Sequence, residues 1–324
     1  MQASTHTTPN LLQRFWRENP ALTLVSLAML PLIVVCLLGL VLDHQLITGV
    51  PAWTKPLKFA ISISIYCFTF VYLLTFIKGP RRIVTIAGTI TALCLIGEMA
   101  LIILQVLRGT TSHFNFTTPF DSVVFESMGA MISILWVAGF VVAIVLLRQK
   151  SSDTDWAWAL RFGIITALLG MNVAFLMIAQ PGPYAGISGA HSIGVVDGGP
   201  GLPFLGWSTV GGDLRVPHFF GLHGLQVLLI VGWLVTMTRS WLDMRHRVAL
   251  VVTAGVAYLI FILLLTWQAL RAQSIIHPDT LSLLAFGTLF GLAFLVLLSI
   301  VLHGRGTRSS LLAGATVDTH TAAL

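Results

Sequence analysis

The sequence predicts an all-α, polytopic integral membrane protein: a bundle of about eight transmembrane helices with the N-terminus and the C-terminus in the cytoplasm. Three observations predict it. Only 9% of the 324 residues are charged, against roughly 25% in soluble globular proteins. Apolar runs of about 20 residues, the length that crosses a bilayer, recur along the chain. Finally, lysine and arginine fall mostly on one side of the predicted spans, which sets the orientation.

The predicted spans follow from the length of each apolar run. A hydrocarbon core of about 30 Å needs about 20 helical residues. The spans are residues 21–42, 59–78, 83–107, 122–147, 157–179, 216–238, 248–270 and 280–302. Pro20 and Pro217 sit where a first helical turn tolerates proline, and Asp121 and Asp279 are expected to cap their helices.

The charge distribution predicts the orientation, because cytoplasmic loops carry the excess of lysine and arginine. Thirteen of the 18 basic residues lie on the side of the two termini: Arg14, Arg17, Lys78, Arg81, Arg82, Arg148, Lys150, Arg161, Arg239, Arg245, Arg247, Arg305 and Arg308. The other five are Lys55, Lys58, Arg108, Arg215 and Arg271. We therefore expect a multi-pass protein of the plasma (inner) membrane with both termini inside. The basic residues form short clusters rather than one stripe, so nucleic acid is not an expected partner.

The predicted organisation is a single transmembrane domain with short extensions. Residues 1–20 form a cytoplasmic N-terminal segment, residues 21–303 the eight-span domain and residues 304–324 a cytoplasmic tail. The longest connection, residues 180–215, is an outer loop rich in glycine and proline. Long loops of this kind are commonly functional, so the outer face is where we expect the site.

Polar residues inside the spans concentrate in the outer half of the bilayer. At about 1.5 Å per helical residue, Glu98 lies about 14 Å inside the outer end of its span, His223 about 10 Å and Glu126 about 6 Å. Asn172 and Gln268 occupy the same slab. A channel or transporter should place polar groups along the whole depth of the bilayer, whereas the inner half of these spans contains almost none, so the pattern predicts an outward-facing, membrane-embedded pocket.

The leading hypothesis is that this pocket binds a small molecule, a lipid headgroup or a metal. Its predicted binding residues are Glu98, Glu126, Asn172, His223, Gln226, Arg108 and Arg215. The two arginines would hold an anionic group. His223 and Gln226 are three residues apart and should share one helix face. Lys55 and Lys58, close to Trp53, are interpreted as residues of the membrane interface; the alternative is that they bind an anionic headgroup or substrate.

Other interpretations stay open. In a proton-coupled transporter, Glu98 would carry the proton. In an enzyme, Glu98 or His223 would be the general acid or base. In a metal- or haem-dependent enzyme, His113, His218 and His223 would supply ligands. Glu98 is also compatible with a purely structural contact between helices. The chain has no nucleotide-binding motif such as G-x-x-x-x-G-K-[ST].

Overall fold

The computed structural model describes residues 10–150 and 154–321, with side chains described as far as Arg305. These residues form nine α-helices, one short 3-10 helix at Met237–Ser240 and two two-stranded sheets. The helices are α1 (Leu11–Glu18), α2 (Pro20–Leu42), α3 (Thr54–Leu74), α4 (Arg81–Leu107), α5 (Pro119–Arg148), α6 (Thr154–Ile178), α7 (Arg215–Thr236), α8 (Met244–Leu270) and α9 (Thr280–Thr321). The antiparallel strand pairs are β1 (Leu46–Ile47) with β2 (Val50–Pro51), and β3 (Ser192–Ile193) with β4 (Gly212–Asp213).

Eight of these helices, α2 to α9, are long and apolar enough to cross a membrane. This confirms the predicted class, an all-α polytopic membrane bundle. Large apolar side chains such as Leu93 on α4 and Phe294 on α9 are more than half exposed. Such exposure suits contact with lipid, in which apolar side chains need no burial.

The chain divides into two compact units. Unit 1 takes its described residues from the ranges 1–149, 177–191 and 196–207, and therefore includes α1 to α5. Unit 2 takes its described residues from the ranges 150–176, 192–195 and 208–324, and includes most of α6 together with α7 to α9. The predicted loop 180–215 contributes segments to both units.

In unit 1, serine and asparagine side chains join the helices. Ser26 on α2 donates a hydrogen bond to the carbonyl of Ser64 on α3 (2.7 Å), and Ser64 donates one to the carbonyl of Ser26 (3.0 Å). Asn19 caps α2 by accepting from the Leu22 amide (3.0 Å) and donates to the carbonyl of Thr85 on α4 (3.1 Å). Hydrogen bonds of this type contribute to helix association where both surfaces are already apolar.

In unit 2, glycines allow α6 and α7 to approach backbone to backbone. A Cβ atom added at Gly170 would lie 2.5 Å from the amide nitrogen of Leu222, and one added at Gly221 would overlap the backbone of Gly170. Gly224 likewise leaves room for Thr166. Arg247 on α8 donates to the carboxylate of Asp155 on α6 (2.8 Å). Close backbone contacts at glycines and the buried Asp155–Arg247 ion pair therefore stabilise the packing of this unit.

Some helix ends differ from the sequence expectation. Helix α3 begins at Thr54 rather than near residue 59, because Pro56 and Lys58 are accommodated in its first turns. Asp121 is not a helix cap: Thr118 caps α5 by accepting from the Asp121 amide. Asp279 accepts from the amide of Ser282 (2.8 Å), so that expected cap is confirmed. Helix α9 continues to Thr321, so the tail predicted at 304–324 begins as helix.

Candidate functional site

Glu98 is the most unusual polar residue of unit 1. It lies in the middle of α4 and is 1% exposed. Its Oε2 atom is buried without a hydrogen-bond partner in the described part of the chain. Its Oε1 atom lies 3.7 Å from Nε2 of His113, which is longer than a hydrogen bond but short enough for an electrostatic contact. A buried carboxyl group with so little compensation is rare, and it needs an explanation.

His113 comes from the loop between α4 and α5 and connects Glu98 to Lys55 on α3. Its Nδ1 atom lies 3.0 Å from Nζ of Lys55 and 3.1 Å from Oγ of Ser112. Lys55 also donates to Oγ of Ser112 (2.7 Å). An ammonium group only donates hydrogen bonds, so Nδ1 is assigned as the acceptor. The ring proton is then on Nε2, the nitrogen that faces Glu98.

Phenylalanine rings surround this polar chain. Phe59, Phe114 and Phe125 have ring centroids 6.1 to 6.2 Å from the imidazole of His113. The ammonium of Lys55 lies 5.9 Å from the centre of the Phe59 ring. An apolar surrounding strengthens electrostatic interactions among the polar groups and makes unsatisfied ones costly.

The unit 1 part of the long loop packs against the segment that carries His113. The amide of Ser188 donates to the carbonyl of Phe114 (2.9 Å), and the amide of Phe116 donates to that of Gly186 (2.6 Å). The imidazole of His191, which pairs with Asp197 (2.7 Å), lies 4.9 Å from the Phe114 ring. The loop therefore fixes the position of the residues beside His113.

Arg108 and Glu126, two predicted ligand-binding residues, are placed differently from Glu98. Arg108 donates to Oδ1 of Asp121 (2.5 Å), and Gln105 donates to the same oxygen (2.8 Å). Thr118 donates to the other carboxylate oxygen of Asp121 (2.6 Å). Glu126 is exposed on α5. The structure thus brings His113 to Glu98, whereas Arg108 pairs with a carboxylate that the sequence analysis treated as a helix cap.

The remaining predicted residues belong to unit 2. His223 interacts with Gln226 three residues later on α7, and its ring centroid lies 4.3 Å from that of Phe219, so the shared helix face is confirmed. Arg215 donates through Nη2 to Oδ2 of Asp213 (2.6 Å). Asn172 is exposed on α6. Within this unit, His223 and Gln226 are the predicted ligand-binding residues that contact each other.

The histidines of the metal hypothesis are also divided between the units. His113 belongs to unit 1, whereas His218 and His223 belong to unit 2. Nδ1 of His218 lies 2.8 Å from the carbonyl oxygen of Gly170, so this nitrogen carries a proton and donates. Across residues 10–150 and 154–305, no group of three or more His, Cys, Asp or Glu side chains is arranged to hold a metal ion.

Sequence reasoning missed Lys55 and Ser112 as residues of the site. Lys55 lies two residues after Trp53, which favoured an interfacial interpretation. The available signal was the pair Ser112-His113, which lies a few residues after the end of the helix carrying Glu98, in the short polar loop that follows it. Comparison of the chain with protein-family models, curated proteins and solved structures finds no match.

Proposed function

We propose that this multi-pass membrane protein binds a small molecule at Glu98, with His113 and Lys55 completing the site. One observation carries the proposal: Oε2 of Glu98 is buried and has no hydrogen-bond partner in the described chain. Leaving a buried polar atom unpaired costs about 1–3 kcal/mol. A ligand that donates a hydrogen bond to Oε2 would remove this cost.

The charges around Glu98 favour a neutral ligand. The positive charge of Lys55 and the negative charge of Glu98 cancel when both groups are ionised. A cationic ligand would leave a net charge among the phenylalanine rings, which is unfavourable in an apolar surrounding. The expected ligand therefore has a neutral donor, such as a hydroxyl or amide group, on a largely apolar body.

An outward orientation belongs to the same proposal. The Lys and Arg imbalance between the two sides supports it, because the loop that carries His113 is on the side with fewer basic residues. The wider set of predicted binding residues stays a prediction: Glu126, Asn172, His223, Gln226, Arg108 and Arg215.

Mass spectrometry of molecules that co-purify with the protein tests this proposal. Wild type, Glu98→Ala and Glu18→Gln are purified in parallel in lipid nanodiscs, and their small-molecule extracts are compared. Glu18 is the matched control, since it is a glutamate of the same unit that lies on α1, outside the predicted binding residues. We expect a compound that wild type and Glu18→Gln retain and Glu98→Ala loses. Identical extracts from all three proteins would contradict the proposal.

A further inference from the structure

We propose that His113 transfers a proton between Lys55 and Glu98, so that the buried carboxyl group exchanges protons with the aqueous side of the membrane next to Lys55. This inference needs no bound molecule and therefore goes beyond the proposed binding function. It rests on the order of the three groups, in which each imidazole nitrogen faces a different ionisable side chain.

The geometry supplies a donor and an acceptor at each step. Nζ of Lys55 lies 3.0 Å from Nδ1 of His113, within hydrogen-bond distance. Nε2 of the same ring lies 3.7 Å from Oε1 of Glu98. That second gap must shorten to about 3 Å for a proton to cross, a movement of less than about 1 Å. Lys55 is half-buried, so its ammonium group can exchange protons with water at the protein surface.

The transfer balances without any other reactant. In the starting state Lys55 is an ammonium, His113 carries its proton on Nε2 and Glu98 is a carboxylate. Lys55 gives a proton to Nδ1 while Nε2 gives its proton to Oε1. In the final state Lys55 is a neutral amine, His113 is the other neutral tautomer and Glu98 is a carboxylic acid. The reverse transfer restores the starting state. Lys55 exchanges its protons with water on the exposed side, and rotation of the imidazole ring while both of its nitrogens carry a proton turns the exchanged proton toward Glu98.

Neither state of the relay places a net charge in the apolar surrounding. The first is an ion pair separated by an imidazole ring, and the second has three neutral groups. In water the ion pair has much the lower free energy. A low dielectric raises the free energy of the two charged groups, so the charged and the neutral states become closer in free energy.

Other ionisable groups of unit 1 lie near the relay in the described part of the chain. Cys94 lies one helical turn from Glu98 on α4. His191 packs against the ring of Phe114 and pairs with Asp197. Arg108 is held by Asp121 at the start of α5.

Substitutions at Lys55 test the equilibrium between the ion-pair state and the neutral state of the relay. Arginine keeps its proton at all accessible pH values, so Lys55→Arg traps the ion pair. Lys55→Met removes the cation, so the carboxyl group holds its proton. The readout is the infrared carbonyl band of protonated Glu98, identified by its loss in Glu98→Gln. We expect the band in wild type at neutral pH, about tenfold weaker in Lys55→Arg and stronger in Lys55→Met.

Lys58 provides the matched control for this measurement. It lies on the same helix and in the same unit, and it donates to the carbonyl of Leu205 (3.0 Å). Lys58→Arg and Lys58→Met should leave the carbonyl band at wild-type intensity. A wild-type protein without the band, or a Lys55→Arg protein with an undiminished band, would overturn the proposal.

The role of the imidazole is tested by kinetics. Transfer into D2O shifts the carbonyl band of Glu98 as its proton is replaced by a deuteron. His113→Gln keeps a polar side chain but has no ring to pass a proton. We expect this exchange to slow by about tenfold or more, whereas His191→Gln exchanges like wild type. Thermal unfolding of each variant establishes that it is folded.

The outcomes separate the two proposals. Equal exchange rates in wild type and a folded His113→Gln protein would exclude the relay and leave ligand binding at Glu98 intact. Conversely, a normal carbonyl response together with identical extracts from Glu98→Ala and wild type would exclude the binding function and leave the relay intact.

Discussion

Nε2 of His113 lies 3.7 Å from Oε1 of Glu98, although one residue is in a loop and the other is in the middle of α4. The loop folds back over its own preceding helix and brings an imidazole to a carboxyl group that the bilayer would otherwise isolate. Lys55 reaches the other side of the imidazole from α3. Side chains from α3, from α4 and from the loop between α4 and α5 thereby form a row of three ionisable groups.

The contact between α6 and α7 predicts a strong dependence on side-chain size at Gly221. A Cβ atom there overlaps the backbone of Gly170, which cannot move without shifting its helix. Gly221→Ala should therefore destabilise the protein by about 1–3 kcal/mol. The measurement is the free energy of unfolding in mixed micelles, obtained by titration with a denaturing detergent.

Gly129 on α5 is the control for Gly221. A Cβ atom added there meets nothing within 4 Å. Because alanine is the better helix former, Gly129→Ala should be neutral or stabilise by up to about 1 kcal/mol. Equal losses of stability in the two variants would show that the glycine contact is not the cause.

The Asp155–Arg247 pair predicts a large penalty when only one partner is removed. Asp155 is fully buried, and Arg247 is 7% exposed and bonds to it at 2.8 Å. Arg247→Met leaves a buried carboxylate without its cation and should cost about 3–5 kcal/mol. Adding Asp155→Leu should restore most of that loss, while Arg245→Met, at an exposed arginine on the same helix, should change little. Unfolding in mixed micelles checks each variant.

The Arg271–Asp279 pair predicts a pH dependence near the start of α9. Hydrogen bonds from Arg271 hold the pKa of Asp279 below its ordinary range, and the amide of Ser282 adds to this effect. The ionised carboxylate therefore stabilises the folded protein at neutral pH. This stabilisation is complete above the ordinary aspartate pKa of about 3.9 and is lost as the pH falls further.

Asp279→Asn tests this dependence. The wild-type Tm should exceed that of the variant at neutral pH, and the difference should shrink as the solution becomes more acidic than the ordinary aspartate pKa. Arg271→Met should reproduce the effect, because it removes the main cause of the lowered pKa. A Tm difference that is unchanged from neutral to acid solution would rule out this explanation.

The orientation of the chain is tested by cysteine labelling in intact cells. Tyr184 in the long loop is 67% exposed, and Arg148 lies at the exposed end of α5. The native cysteines Cys36, Cys67 and Cys94 are buried and should contribute little background. We expect a membrane-impermeant maleimide to label Tyr184→Cys in whole cells and Arg148→Cys only after lysis. The reverse pattern would show that the predicted orientation is wrong.

The eight spans were predictable from the sequence because crossing a bilayer is a local requirement: every stretch of chain that crosses must be apolar and long enough by itself. The depth of Glu98 followed from the same counting. Helix ends were less predictable where capping decides them. Asp121 and Thr118 are both residue types that cap helices. In the structure Thr118 is the cap, because the carboxylate of Asp121 accepts hydrogen bonds from Arg108 and Gln105 instead.

The sequence by itself determined the membrane environment, the number of spans and the burial of a carboxyl group at Glu98. Only the tertiary structure decided that this group faces His113, and that Lys55 faces the opposite nitrogen of the ring. The reason is physical. Whether a segment can cross the bilayer depends on the hydrophobicity of its own residues, which can be read from the sequence. The contact between Lys55 and His113, 58 positions apart, depends instead on how the helices pack and on where the connecting loop folds back.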